Sequence, residues 1–400
     1  MKILLLLNKR LTDNFGGTEK VFCNFANEFV RRGHVVAATH NDKTDLSSTN
    51  ALDPRVQLFN LNGPEVPRTT ALAAKIWREA TRPFRKTFLA PLFPDFYLNQ
   101  RRRLLKPRID GALQAFRPDV VVAFFTEELK TLFFERPTND FATILMAHNV
   151  PWISIPSWQR ENGPALDRCD AVQALLPSFI PAIRAQCSTE IVAIPNVVPQ
   201  FAESVDVDER EKTGSPRVVF AARLDAKSKR QHLAIEAFAK IAEDAPGWNL
   251  HFFGSDYSGG AYRSRLEKLI QKRKLDGRVF IQDSTPAIVQ ELLASDIVAF
   301  PSAFEGFSLA LTEAQSLGLP VVGFADAPSV NELIVDGENG FLARDVDDFA
   351  QKLKTLIDSK ELRRRFGANA KKSVEKYEAS KVWDAWEKLL REAVEKKRAA

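Results

Sequence analysis

Two glutamates, Glu305 and Glu313, stand eight residues apart around a segment whose residue types suit sugar and phosphate binding. An apolar run ends at Pro301, and Ser308 is a good N-cap for a helix from Leu309 to Gly318. Glu305 would lie in the loop before this helix, and Glu313 about 7 to 8 Å along it, at ~1.5 Å per residue. The pattern predicts a ligand site with a sugar at the first carboxylate and a ribose at the second. The alternative is two unrelated acids in contact with solvent.

Between the two acids, the unpaired backbone N–H groups of the helix start predict an anion site. The residues expected at a diphosphate there are Gly306, Phe307, Ser308 and Leu309. Gly306 would add backbone freedom where the chain approaches the ligand. Two cations, Arg223 and Lys229, follow another apolar run and precede a helix, a position that suits the negative charge of a diphosphate leaving group.

The segment Pro301-Ser-x-x-Glu305-Gly-Phe, with Glu313 eight residues on and Gly-x-Pro-Val-Val after it, closely resembles the retaining glycosyltransferases of family 4, which have the GT-B fold. Arg223 and Lys229 resemble the Arg and Lys pair of that family. Arg230 departs from the pattern, because a glycine usually follows the lysine, and this leaves Lys227 as a substitute. The resemblance implies an α/β protein with two Rossmann-like, doubly wound parallel-sheet domains that face each other across a cleft.

The resemblance also implies the reaction and its participants. A hexose or related sugar would move, with retention, from a nucleotide diphosphate donor (a UDP-sugar is favoured) to a hydroxyl of a glycan or lipid-linked acceptor. Glu305 and His148 would position the hexose, Arg223 and Lys229 would stabilise the leaving diphosphate, and Glu313 would hold the ribose. Bacterial surface-polysaccharide, lipopolysaccharide or lipid-linked glycan assembly is the implied setting.

Further donor contacts are expected at the ends of other predicted strands. Gly16 and Gly17 follow the first strand, and a glycine pair there lets backbone N–H groups approach an anionic ligand. His148 follows the strand Ala142–Ala147, at the edge where open α/β sheets bind ligands. Gly254 ends another strand. Asp283 and Ser284 stand where the family places the nucleotide base.

A polar, acidic linker that ends at Pro216 separates two groups of predicted strands. We therefore expect an acceptor-side domain over residues 1–204 and a nucleotide-sugar domain over 205–376. The helix of residues 377–400 is expected to return to the first domain, as the last helix does in this fold.

The composition is that of an ordinary globular protein, with 45% apolar and 27% charged residues among 400. Its three cysteines lack a CxxC spacing, so neither a disulfide framework nor a zinc site is indicated. No run of eighteen apolar residues is present, and Met1–Leu7 fits a buried strand better than a signal peptide. These features favour a cytoplasmic protein.

One segment, residues 68–108, is strongly basic: it holds eleven Lys or Arg and two acids, a local charge of +9 against +5 for the whole chain. Aromatic and aliphatic side chains lie between the cations, among them Trp77, Phe84, Phe88, Leu89, Phe93, Phe96 and Tyr97. Contact with an anionic membrane surface, on the inner face of the cytoplasmic membrane, is one interpretation. An ordinary helix pair with a solvated basic face is the other. No nucleic-acid-binding module is visible, so nucleic acid is not an expected partner.

Two Asp-x-Asp triplets, Asp206–Asp208 and Asp345–Asp347, could imitate a metal motif. The first lies in the linker and the second precedes a helix, so both are interpreted as caps, and no metal or other cofactor is expected. Two rival functions remain: a nucleotide-sugar epimerase or phosphorylase on the same fold, and a non-catalytic sugar-nucleotide-binding subunit. An NAD-dependent enzyme is disfavoured because no GxGxxG follows a predicted strand.

Overall fold

The computed structural model describes residues 1–11, 17–42, 52–63, 66–85, 95–136, 139–147, 163–206 and 215–399. They divide into two compact units, Met1–Pro195 together with Trp383–Ala400, and Asn196–Val382. Each unit is built on one parallel β-sheet, with helices connecting its strands. The predicted fold class, two Rossmann-like doubly wound parallel sheets, is confirmed.

The first unit contains a parallel sheet of seven strands. Its central strands are continuous apolar runs, because a parallel sheet covered on both faces buries every side chain. All residues of Val120–Ala123, for example, are buried. The strands are β1 (Lys2–Leu6), β2 (Val35–His40), β3 (Gln57–Asn60), β4 (Val120–Ala123), β5 (Ala142–Ala147), β6 (Ala171–Ala174) and β7 (Ile191–Ala193). Their order across the sheet is β3-β2-β1-β4-β5-β6-β7, so the direction of winding reverses between β1 and β4.

Helices of the first unit follow these strands. They are α1 (Gly17–Arg31), α2 (Arg68–Arg85), α3 (Phe96–Phe116), α4 (Thr126–Leu132) and α5 (Ile180–Arg184), with a 3₁₀ turn at Pro177–Phe179. The apolar face of α1 is fully buried, and its Phe22 packs edge-on against Phe124 with ring centroids 4.9 Å apart. The period-3.6 pattern of phenylalanines in α1 thus sets the face that covers the sheet.

The last helix of the chain, Ala379–Ala399, belongs to the first unit from Trp383 onward. The rings of Trp383 and Trp386 contact Phe25 edge-on at 5.8 and 5.1 Å between centroids. Arg32 adds an ion pair to Glu387 at 2.8 Å. Hydrogen bonds from Arg32 and Arg391 lower the pKa of Glu387 to about 2. Aromatic contacts and an ion pair therefore hold this helix on the first unit.

The second unit contains a parallel sheet of six strands. They are β8 (Arg217–Ala221), β9 (Asn249–Phe253), β10 (Val279–Gln282), β11 (Ile297–Phe300), β12 (Val321–Phe324) and β13 (Gly340–Ala343). The order across the sheet is β10-β9-β8-β11-β12-β13. The winding reverses between β8 and β11, and open α/β sheets bind ligands beyond the carboxyl ends of the strands at such a point.

The helices of the second unit connect these strands and follow the last of them. They are α6 (Gln231–Ile241), α7 (Ala261–Lys272), α8 (Ile288–Leu293), α9 (Leu309–Ser316), α10 (Val330–Leu333), α11 (Val346–Asp358) and α12 (Lys360–Ser373). A 3₁₀ turn at Glu375–Tyr377 then leads into α13, the helix Ala379–Ala399. No helix in the described part of the chain is long and apolar enough to cross a membrane.

The second unit begins earlier in the structure than the predicted domain boundary near residue 205. Residues from Asn196 onward belong to the second unit. The amide of Val198 donates to the carbonyl of Tyr377 at 2.9 Å, and that of Val205 to the carbonyl of Leu317 at 2.8 Å. These hydrogen bonds attach the extended segment to the second unit before the first strand of its sheet begins.

Candidate functional site

The candidate site lies in the second unit, where the chain leaves β8 and β11. Arg223 follows β8, and Lys229 lies in the turn that leads into α6. Glu305 lies in the loop between β11 and α9. The amide of Ala303 donates to the carbonyl of Ser228 at 2.8 Å, so the two connections touch through their backbones. The switch point of the sheet thus brings three of the predicted site residues onto adjacent loops.

The ammonium group of Lys229 donates a hydrogen bond to Oε1 of Glu305. Both side chains are largely buried, with 18% and 12% of their surface exposed. The Glu305 amide donates to the carbonyl of Pro328 at 3.2 Å, which attaches this loop to the segment after β12. The acid expected at the sugar and the cation expected at the diphosphate are therefore direct neighbours. They lie 76 residues apart in sequence.

Arg223 is more exposed than Lys229, with 58% of its side chain accessible, and lies 3.6 Å from Oδ2 of Asp225. Asp225 shapes the turn, because its Oδ1 accepts hydrogen bonds from the amides of Lys227 and Ser228 at 2.8 and 2.9 Å. Burial raises the pKa of this carboxyl, but these hydrogen bonds outweigh it and the net pKa is lowered. Sequence reasoning missed Asp225, although an aspartate that binds amides two and three residues on is a known turn signal.

Arg230, the departure from the family pattern, turns away from Arg223 and Lys229 to bind the neighbouring strand exit. Its Nε donates to the carbonyl of Pro301 and its Nη2 to that of Ser302, both at 2.9 Å. The guanidinium carbon lies 4.8 Å from the ring centroid of Phe324. Lys227, the proposed substitute cation, is exposed in the same turn.

The N-terminus of α9 has the predicted cap. Ser308 has extended backbone angles (φ −74°, ψ 95°), and its Oγ accepts from the amide of Leu311. Phe307 is 6% exposed, and its ring is perpendicular to that of Tyr377 at 5.1 Å between centroids. Because the first amides of a helix lack intrahelical acceptors, the start of α9 at Leu309 remains the predicted anion site. Glu313 lies on the same helix, partly exposed.

Gly254 packs directly against the exit of the neighbouring strand β8. A Cβ at this position would lie 2.0 Å from the carbonyl oxygen of Ala222 and 3.0 Å from the amide of Arg223. Glycine is therefore required so that the exits of β8 and β9 can touch. Gly306, in contrast, does not adopt a positive φ, so its backbone conformation does not itself demand glycine.

Asp283 and Ser284 follow β10, at the edge of the same sheet. Asp283 has 82% of its side chain exposed and forms an ion pair with Arg263 at 2.9 Å. The hydroxyl of Ser284 lies 2.8 Å from that of Ser255, which follows Gly254. The structure thus groups the two predicted base-binding residues with the exit of β9. Arg263, which sequence reasoning did not select, holds Asp283 in place.

The structure describes only one of the three site residues that were predicted in the first unit. Gly17 is exposed at the first position of α1. Gly16 and His148 lie outside the described residues. Their predicted roles at the donor and the hexose stay predictions.

Of the two Asp-x-Asp triplets, Asp345–Asp347 lies within the described residues and Asp206–Asp208 does so only in part. Asp345 caps α11 by accepting from the amide of Asp348, and Asp347 pairs with Lys240 at 2.7 Å. Asp208 lies outside the described residues. Within the ranges that the structure covers, no three His, Cys, Asp or Glu side chains are grouped so that they could hold a metal ion.

Most of the cations of α3 in the basic segment 68–108 have partners within the first unit. Arg102 forms an ion pair with Glu127, Arg101 donates to the carbonyl of Asn8, and Arg108 to that of Leu61. Lys106 pairs with Asp110. Phe88, Leu89 and Phe93 lie outside the described residues. Among the described residues of the segment, α2 holds most of the exposed large apolar side chains, together with exposed cations.

Residues 202–373 match the family model of the glycosyl transferases group 1. The second unit thus carries a domain of this type, which includes Arg223, Lys229, Glu305 and Glu313. Two curated relatives are 28% identical to parts of the chain. One is the exopolysaccharide phosphotransferase SCO2592 of Streptomyces coelicolor, over 58% of this chain and 24% of the relative. The other is the poly(glycerol-phosphate) alpha-glucosyltransferase of Bacillus subtilis, over 45% of this chain and 26% of the relative. The chain spans about a quarter of the length of each.

Solved structures match the fold over almost the whole chain. Sucrose-phosphate synthase from Thermosynechococcus elongatus has a TM-score of 0.78 at 16% identity and covers 98% of both chains. HepE of Anabaena, solved in complex with UDP-glucose, has a TM-score of 0.74 at 19% identity, over 98% of this chain and all of that one. The GT-B architecture expected from the sequence is thereby confirmed.

Proposed function

We propose that this protein is a retaining glycosyltransferase of family 4 that needs no metal ion. It moves a hexose or related sugar from a UDP-sugar to a hydroxyl of a glycan or lipid-linked acceptor, on the cytoplasmic side, in surface-polysaccharide or lipopolysaccharide assembly. The observation that carries the proposal is the Lys229–Glu305 contact at the switch point of the second sheet, beside the N-terminus of α9. The matched family model and the UDP-glucose complex of a protein with the same fold support it.

The charges at this site suit the departure of a diphosphate. Glycosyl transfer develops positive charge at the anomeric carbon and negative charge on the leaving phosphate. Lys229 can bind Glu305 with one N–H and a phosphate oxygen with another, because an ammonium group has three donors. Arg223 and the first amides of α9 add further positive potential. Removal of one such preorganised group costs on the order of 10²–10³ in rate.

Retention follows in this proposal from attack on the same face as the leaving group. The departing phosphate oxygen accepts the proton of the acceptor hydroxyl, so the protein supplies no separate base. Glu305 orients the hexose together with His148, and Glu313 binds the ribose hydroxyls from α9. Gly254, Asp283 and Ser284 border the base, with Gly254 acting through the packing of the strand exits.

A panel of nucleotide sugars in a thermal-shift assay identifies the donor, because a bound ligand raises stability by mass action. Glu305→Ala should then abolish transfer while the affinity for the free nucleotide is kept, whereas Glu313→Ala should weaken nucleotide binding. Asp347→Ala, a change of an exposed residue on α11, serves as the control for both. Wild-type turnover in Glu305→Ala would remove the central assignment.

The two rival functions are separated by product analysis. A nucleotide-sugar epimerase changes the donor without an acceptor, and a phosphorylase forms a sugar phosphate when inorganic phosphate is present. A non-catalytic binding subunit would neither transfer nor slowly hydrolyse any donor. The combined presence of Arg223, Lys229, Glu305 and Glu313 favours the transferase.

We further propose that α2 docks the protein on an anionic membrane surface. Leu72 and Ile76, one helical turn apart on one face, are 61% and 63% exposed, and Phe84 is 46% exposed. Lys75 and Arg82 are exposed beside this face of the same helix. An apolar face with flanking cations is the arrangement of helices that lie in the membrane interface.

Liposome co-sedimentation tests this docking. Wild-type protein should bind anionic vesicles at low salt and neutral ones much less, and the double change Leu72→Ser, Ile76→Ser should abolish the difference. Val335→Ser, at an exposed valine of the second unit, should bind as wild type. Equal binding to anionic and neutral vesicles would contradict the proposal.

A further inference from the structure

Arg230 adopts a backbone conformation that is unfavourable for its residue type. Its φ and ψ are 51° and 39°, in the left-handed region, where a Cβ crowds the neighbouring carbonyl. Glycine would occupy this position without strain. A strained residue persists where the surrounding structure requires it. Here the Arg230 amide closes the turn by donating to the carbonyl of Asp225 at 2.8 Å, and its side chain binds the neighbouring loop.

The Arg230 side chain connects the exits of three strands. Two hydrogen bonds of 2.9 Å reach the carbonyls of Pro301 and Ser302, directly after β11. The guanidinium also lies over Phe324, the last residue of β12, at 4.8 Å. A planar fork of donors can bind two successive carbonyls at once, which a lysine cannot reproduce.

The two carbonyls belong to the loop that carries Glu305, and Arg230 directly follows Lys229. Two backbone hydrogen bonds also attach this loop: the amide of Ala303 donates to the carbonyl of Ser228, and that of Glu305 to the carbonyl of Pro328, at 2.8 and 3.2 Å. We propose that Arg230 is a positioning residue that fixes the Glu305 loop against the Lys229 turn. Its effect on transfer rests on the function proposed above.

The first test is independent of activity and compares Arg230→Gly with Lys274→Gly by amide hydrogen exchange. Lys274 also has a left-handed backbone, with φ 56°, and is exposed in the turn after α7, so its change relieves the same type of strain elsewhere. In Arg230→Gly the amides of Ala303 and Glu305 should exchange at least about tenfold faster, because both hydrogen bonds of the guanidinium are lost and even one from a charged donor contributes that much. In Lys274→Gly they should exchange as in the wild type. Unchanged exchange in Arg230→Gly overturns the proposal.

The second test measures transfer by the same variants. A displacement of about 1 Å between Lys229 and Glu305 can lower kcat up to 10²-fold, while the Kd for UDP changes little. Arg230→Lys should recover part of the loss, because it restores one of the two hydrogen bonds. If Arg230→Gly kept the wild-type kcat, the positioning role of Arg230 would be contradicted, while the proposed function would stand. A wild-type protein that processes no donor contradicts the proposed function, and the exchange experiment still decides the role of Arg230.

Discussion

Replacing Gly254 by alanine tests whether the exits of β8 and β9 must touch to place Arg223. The added Cβ would lie 2.0 Å from the carbonyl oxygen of Ala222 and 2.5 Å from its carbon, whereas real Cβ atoms stay beyond 3.0 Å. The two backbones would have to separate by about 1 Å, and close-packed interiors resist such movement. This separation would also break the hydrogen bond from the amide of Ala222 to the carbonyl of Phe253, which is 2.9 Å long.

The expected cost has two parts. Overpacking of this size lowers the free energy of unfolding by about 1–3 kcal/mol. Loss of the neighbouring hydrogen bond adds about 1 kcal/mol. Because Arg223 directly follows Ala222, its guanidinium would move relative to Lys229 and Glu305. A misplacement of about 1 Å can reduce kcat/KM up to 10²-fold.

The assay pairs urea unfolding with donor turnover measured well below the unfolding transition. Gly111→Ala is the matched control, because a Cβ there meets nothing within 4 Å and its φ is not positive. Since Gly111 lies inside α3, its change to alanine should stabilise the protein by about 0.5–1 kcal/mol and leave turnover unchanged. If Gly254→Ala were as stable and as active as the wild type, the close approach of the two strand exits would be wrong.

Three further predictions concern the fold and the chemistry. Burial raises the pKa of Glu128 from 4.5 to about 7. The contribution of the neutral Glu128 carboxyl to the free energy of unfolding is therefore fully present below pH 4.5 and is lost as the pH rises through 7. Glutamine stays neutral at every pH, so the free energy of unfolding of Glu128→Gln relative to the wild type should rise by about 3 kcal/mol from about pH 4 to 8. Its neighbour Glu127, an ion-pair partner of Arg102, gives the control change Glu127→Gln, in which this growth should be absent. Trp386→Ala should lower the free energy of unfolding by about 3–5 kcal/mol, whereas Trp77→Ala, at a 37% exposed position, should change it far less. EDTA should leave transfer unchanged, and a loss of activity that manganese restores would show that a metal ion takes part.

The elements that could be predicted from the sequence are those whose signals are local. The apolar runs of β4, β5 and β11 predict buried parallel strands, because such strands have both faces covered. The serine before an apolar helix predicts the cap at Ser308, since a side chain that accepts an amide acts over three residues. In contrast, β3 (Gln57–Asn60) has exposed residues and no apolar run, so nothing in its sequence distinguishes it from a loop.

What could not be predicted depends on contacts between distant residues. The carbonyls that Arg230 binds lie more than seventy residues further along the chain, and a cation after Lys229 has the same sequence signal whether it faces a ligand or a neighbouring loop. Gly254 shows the same ambiguity, because a glycine after a strand can admit a ligand or another strand. Likewise, the charge of segment 68–108 did not reveal that Arg101, Arg102 and Arg108 have partners inside the first unit.

Isothermal titration of UDP into the wild type, Lys229→Gln and Lys274→Gln tests the location of the donor site most directly. A hydrogen bond from a charged group contributes about 1.5–3 kcal/mol, so Lys229→Gln should weaken UDP binding roughly 10- to 10²-fold. Lys274→Gln, in an exposed turn of the same unit, should bind as the wild type does. Equal affinity in all three proteins, or no binding by the wild type, would contradict a diphosphate site at the exits of β8 and β11.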